Sequence, residues 1–169
     1  NNTNNGVYGG GKGQNTNVNG NVTIKSTTTD NTKLNIANVY GGSALGSVNQ
    51  YGNNSITIDG GTISNVYGGS EGNATITPNS LGDIDVIINS GIIDNVFGGN
   101  NVRGTPSKKI EVTMNGGTVS NVYGGGNSAP VNETTVNLNG GTIKQNAFGG
   151  SNAADATTTN VNINGINVI

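Results

Sequence analysis

The chain of 169 residues carries a formal net charge of −2 and has no cysteine and no histidine. Disulfides, thiolate metal sites and the side chain most used as general base or metal ligand are therefore excluded. Seven scattered lysines and arginines make no phosphate-tracking stripe, which excludes nucleic acid as a partner, and no apolar run reaches membrane-spanning length.

The residues that dominate are asparagine (33) and glycine (30), and the apolar set holds 32 isoleucines and valines against 4 leucines. β-Branched side chains lose rotamer freedom in helices and pack well on pleated surfaces, so the chain is built for strands.

In chain order, the first recognisable element is an anchor, Val7-Tyr8-Gly9-Gly10. After a variable segment comes a short alternating strand, Val22-Thr23-Ile24, and Ser26 to Lys33 then replace the turn seen in later copies with an insertion. The anchor returns at Val39-Tyr40-Gly41-Gly42, Val66-Tyr67-Gly68-Gly69, Val96-Phe97-Gly98-Gly99, Val122-Tyr123-Gly124-Gly125 and Ala147-Phe148-Gly149-Gly150. The intervals run from 25 to 32 residues, and Tyr51 is the one aromatic that does not sit in an anchor.

Between anchors stands a second block, an alternating strand followed by a glycine pair and Thr-Ile/Val. Copies are Ser55 to Ile63, Glu111 to Val119 and Thr135 to Ile143, with Ser90-Gly91 standing for the pair in Asp83 to Ile93 and a single glycine, Gly165, in the last copy. Period-2 alternation places Val22/Ile24, Ile56/Ile58, Val86/Ile88, Val112/Met114, Val136/Leu138 and Val161/Ile163 on one inward face. The glycine pairs permit the positive φ of a sharp corner.

One such unit buries four or five apolar side chains, worth roughly 1.5–3 kcal/mol each, against a backbone cost of about 1–2 kcal/mol per ordered residue. Stacking of successive units makes up the difference. The pattern predicts an all-β parallel β-solenoid, right-handed, of about six coils of 25–32 residues. A single solenoid domain over 1–169 is expected, with coil anchors at 7–10, 39–42, 66–69, 96–99, 122–125 and 147–150. At about 4.8 Å per coil it forms a rod of roughly 25–30 Å.

Parallel stacking also gives the repeated polar positions a role. Asn38, Asn65, Asn95, Asn121 and Asn146 precede the anchors, and Asp59, Asn89, Asn115, Asn139 and Asn164 precede the corners. Stacked amides can bond along the axis as ladders. The anchor aromatics Tyr8, Tyr40, Tyr67, Phe97, Tyr123 and Phe148 form a second column. A straight strand would point Ile63, Asn65 and Tyr67 inward together, whereas a bend at Ser64-Asn65 would bury Val66 and turn Tyr67 outward. The payload of a six-ring stack favours buried rings.

Sites of chemistry are few. No Gly-Lys-Ser/Thr follows the anchors, so they are corners and not phosphate loops. The residues after them, Lys12, Ala44, Glu71, Val102, Asn127 and Asn152, lack the aspartates of calcium-binding solenoid repeats. An outward threonine column is broken by Ile87, Asn137 and Asn162, which a flat ice-binding array does not tolerate. Asp83 and Asp85, with Glu111 one coil on, are the nearest approach to the paired acids of a glycan-cleaving enzyme; Arg103, Lys108 and Lys109 form the one basic cluster. Both sets read as solvated charges, and the triplets Asn73-Ala74-Thr75 and Asn132-Glu133-Thr134 are expected by chance in so Asn- and Thr-rich a chain. No catalytic residue, cofactor or metal is expected. The segments after each anchor vary in length and sequence, and Tyr51, Arg103, Lys108 and Lys109 within them are the candidate partner-binding positions.

The run Gly-Gly-Thr-Ile/Val-x-Asn-Val-Tyr/Phe-Gly-Gly at 60–69 and 116–125, and with one extra residue at 140–150, resembles repeats of large bacterial cell-surface, adhesin-like β-helix proteins. The resemblance implies secretion, surface display and a non-enzymatic role as rigid stalk, adhesive rod or filament unit. Implied partners are neighbouring repeats, further copies stacked head to tail, and host or environmental glycans; the alternative is a glycan-binding or glycan-degrading β-helix. A start at Asn1 and a finish at Ile166 to Ile169, partway through a coil, lead to the expectation of a processed segment of a longer array.

Overall fold

The computed structural model describes residues 6–26, 30–48 and 53–169; Tyr51 lies outside them. The strands are β1 (Gly6–Tyr8), β2 (Asn17–Val18), β3 (Asn21–Lys25), β4 (Asn35–Tyr40), β5 (Ser47–Val48), β6 (Asn54–Tyr67) and β7 (Ile84–Phe97). They continue as β8 (Ile110–Met114), β9 (Thr118–Tyr123), β10 (Val131–Leu138), β11 (Thr142–Phe148), β12 (Ala156–Ile163) and β13 (Asn167–Val168). The chain is an all-β parallel solenoid of about six stacked coils.

Each coil feeds two long parallel ladders. The first joins β3, the front halves of β6 and β7, then β8, β10 and β12. The second joins β1, β4, the back halves of β6 and β7, then β9, β11 and β13. A short third ladder pairs β2 with β5, and a bridge from Val48 to Ser80 extends it. Equivalent residues face equivalent residues: Ile56 pairs with Val86, Asn65 with Asn95, Tyr67 with Phe97.

The corner between the two ladders is where positive φ is needed. Gly60 and Gly61 sit at φ 126° and 91°, and Gly91, Gly117 and Gly141 repeat the geometry in later coils. The insertion before β4 covers the first of these corners: Asn31 accepts a hydrogen bond from the Gly61 amide through its side chain (3.0 Å), and its carbonyl accepts from the Thr62 hydroxyl (2.9 Å).

The anchor glycines answer a different constraint. A Cβ on Gly41, Gly68, Gly98 or Gly124 would collide with the carbonyl oxygen of the corresponding glycine one coil on. None of these four has positive φ. Here glycine is required for close approach of stacked backbones, not for a left-handed turn.

Inside, one core runs the length of the rod. Val22, Ile24, Ile56, Ile58, Val86, Ile88, Val112, Met114, Val136 and Leu138 come from the first ladder, and Val39, Ile63, Val66, Ile93, Val96, Val119, Val122 and Ile143 from the second. The chain bends within 64–65, so that Ile63 and Val66 both enter this core. Tyr67 therefore leaves it. Val161 and Ile163 keep register with Val136 and Leu138 and so face the same side, but in the last coil of the stack they are exposed.

Candidate functional site

The aromatic column is the most regular feature outside the core. Tyr8, Tyr40, Tyr67, Phe97, Tyr123 and Phe148 stack with centroids 4.7–5.1 Å apart and ring planes within 14° of parallel, inside the range of favourable aromatic pairs. The rings form a cluster of their own, separate from the main core, with Tyr40, Tyr67 and Phe97 buried and Tyr8 and Tyr123 partly buried. Of the two sequence alternatives the structure takes the bend: Val66 enters the core and the rings turn away from it. The inward stack that the aromatic payload favoured is thereby corrected, and the middle rings are buried in a cluster of their own outside the core.

Those segments repeat in register for several residues. Amides of Ala44, Glu71, Asn101, Asn127 and Asn152 each bond to the residue after the anchor in the preceding coil. The position that follows Glu71 is therefore Asn101, which also stands two residues past its glycine pair, and not Val102. Asn127 donates to Asn101 (3.0 Å) and Asn152 to Asn127 (2.9 Å), an amide ladder that the sequence reading missed. At its start Asn101 donates to the Tyr40 hydroxyl at 2.9 Å, and nearer the beginning of the rod the Tyr8 hydroxyl donates to Glu71 at 2.7 Å. Burial, then the Glu71 carboxylate, push the Tyr67 phenol up to about 12. Tyr8 and Tyr40 are raised further, burial again being the main cause.

Two further ladders run along the second and first ladders' edges. Asn65, Asn95, Asn121 and Asn146 each donate to the preceding asparagine, starting at Asn38, over 3.0–3.4 Å. Asn89, Asn115, Asn139 and Asn164 do the same from Asp59 over 2.8–3.1 Å.

The acidic residues do meet on one face. Asp85 and Glu111 are register partners on the outer side of the first ladder, beside a depression of about 220 Å³ lined also by Ser55, Ile87 and Thr113. Partial burial, then Glu111 and Asp83, raise the Asp85 carboxyl, against the pull of Lys109. Glu111 is tied down on both oxygens, by Lys109 at 2.6 Å and by the Asn137 amide at 2.7 Å. The pair is thus a polarised surface patch in which one acid is raised and the other is held as an ion pair. Of the basic cluster, Lys109 belongs to this patch, while Arg103 and Lys108 are exposed in the segment before β8. Among the described residues no group of three or more acids is placed to hold a metal ion, and no helix is long and apolar enough to cross a membrane.

Comparison with protein-family models, with curated proteins and with solved structures finds no match for this chain.

Proposed function

We propose that the chain is a non-enzymatic rod segment of an extracellular bacterial surface protein, a rigid spacer that displays variable loops and extends by stacking coil upon coil. One observation carries this reading: the residues repeated in register are the ones that couple coils. The aromatic column, the three amide ladders and the glycines that bring backbones together all act along the rod axis. A spacer needs that axial coupling, because each coil alone cannot offset its own ordering entropy.

The last coil is where a further coil, whether of this chain or of another copy, would continue the stack. It presents Phe148, Val161, Ile163, Val168 and Ile169 to solvent, with Ile163 at 69% exposure, together with the outer edge of β12. Exposed apolar strand edges template pairing with a further strand. The surface location follows from the resemblance of the Gly-Gly-Thr-Ile/Val-x-Asn-Val-Tyr/Phe-Gly-Gly repeat.

Single-molecule pulling between the two chain ends tests the spacer role. Nearest-neighbour coupling predicts successive force peaks, each releasing about one coil, on the order of 90 Å of chain at 3.3–3.6 Å per residue. Extension without force peaks would overturn the reading.

A further inference from the structure

The column that roofs the aromatic stack changes character along the rod. Its last three positions, Asn101, Asn127 and Asn152, are bonded amide to amide. Its first three are Lys12, Ala44 and Glu71. The ladder ends at Asn101, whose amide turns to the Tyr40 hydroxyl; past Glu71 the column narrows to the methyl group of Ala44, and a pocket of about 390 Å³ opens there. Tyr8, Lys12, Ala44, Leu45, Glu71 and Asn73 line it. Its volume falls in the range of small-ligand sites, about 300–1,000 Å³.

We propose that this pocket binds a neutral pyranose ring of a glycan. The lining is mainly apolar, with Leu45, Ala44 and the Tyr8 ring offering surface for the C–H face of a sugar. Lys12 and Glu71 contribute one charge of each sign, so a cation meets the ammonium and an anion meets the carboxylate; a neutral, hydroxyl-rich ligand uses both. Glu71 holds the Tyr8 hydroxyl through Oε2 at 2.7 Å, which leaves Oε1 to accept from a sugar hydroxyl, while the Lys12 ammonium can donate to another. The side chains that depart from the repeat are the ones that create the pocket and supply its polar groups. The inference stands apart from the spacer reading, and either can fail without the other.

Saturation-transfer NMR on the whole chain, irradiating tyrosine ring protons, tests it with glucose, galactose, mannose and N-acetylglucosamine as methyl glycosides. A primary amine of similar size and a sulfated monosaccharide serve as charged probes. Transfer to at least one neutral glycoside is expected. Ala44→Asn, which restores the amide and fills the pocket, should weaken binding about tenfold or more, and so should Glu71→Gln, with unchanged circular dichroism in both. Glu71→Gln alone decides the matter if Ala44→Asn does not fold. Absence of transfer to every neutral glycoside, transfer to a charged probe alone, or binding untouched by the variants would each overturn the proposal.

Discussion

Asn101 donates its side-chain amide to the hydroxyl of Tyr40, two coils earlier in the stack, at 2.9 Å. The bond links the amide roof to the aromatic column, so two devices that each run along the rod are also tied to one another. A side chain–side chain bond between partly buried neutral groups contributes about 0.5–1.5 kcal/mol. Tyr40→Phe and Asn101→Ala should each destabilise the chain, and urea unfolding of the double variant should fall short of their sum by about 1 kcal/mol. Strict additivity would show that the roof and the column are energetically separate.

The anchor glycines should tolerate no side chain. A Cβ on Gly98 meets the Gly124 carbonyl oxygen, whereas a Cβ on Gly13 has nothing within contact distance. Gly98→Ala is expected to cost about 1–3 kcal/mol or more through overpacking, and Gly13→Ala to stay within about 0.5 kcal/mol of the parent. Thermal midpoints of the two variants separate the outcomes, and equal midpoints would contradict the steric account.

One position in the first ladder is improvable. Asn54 is fully buried, yet neither its amide nitrogen nor its oxygen has a partner. Its register partner one coil on is Ile84, which pairs in turn with Ile110. Farther along the same column Thr134 solves the problem by donating to the Gly149 carbonyl at 2.5 Å. An unsatisfied buried polar group costs about 1–3 kcal/mol. Asn54→Val should therefore raise the midpoint of chemical unfolding without changing its slope. A lower midpoint would mean that the amide is satisfied in solution.

How much of this was legible in the chain differs by level. The inward face could be read from Ile56/Ile58 and their equivalents because period-2 alternation is a local property, and the corner at Gly60-Gly61 because a positive φ has few alternatives to glycine. The amide columns at Asn65 and Asn115 could be read because the register is fixed by neighbouring motifs. The direction of Tyr67 could not, since it depends on a bend at 64–65 that no single residue demands. The reason for Gly68 could not either, because the constraint is the carbonyl of the next coil. The Asn101 ladder was open to reading, since Asn101, Asn127 and Asn152 each stand two residues past their glycine pair, whereas the pocket beside Ala44 was not, because it depends on how side chains of three coils pack.

Alkaline pH should unlock the aromatic column. Phenols ionise near 10 in an unfolded chain, while Tyr67 is held up to about 12 by burial and by Glu71, and Tyr8 and Tyr40 are also raised. The folded state then binds more protons than the unfolded state between pH 10 and about 12, so the stabilisation present below pH 10 falls as pH rises and is lost as Tyr67 ionises. Ultraviolet titration of tyrosinate should show Tyr67, Tyr8 and Tyr40 ionising late, in step with loss of circular dichroism. Glu71→Gln should move their transition toward 10. Free titration of every tyrosine near 10 with the fold intact would contradict the burial of the column.

The central claim, that this is a rod which extends by stacking coil upon coil, is tested most directly by sedimentation velocity across a dilution series of the isolated chain. Comparison is with Val161→Lys/Ile163→Lys, which places charges on the exposed surface of the last coil. The account predicts concentration-dependent, elongated oligomers for the parent chain and a monomer for the double variant. A parent chain that remains monomeric at every concentration would contradict it.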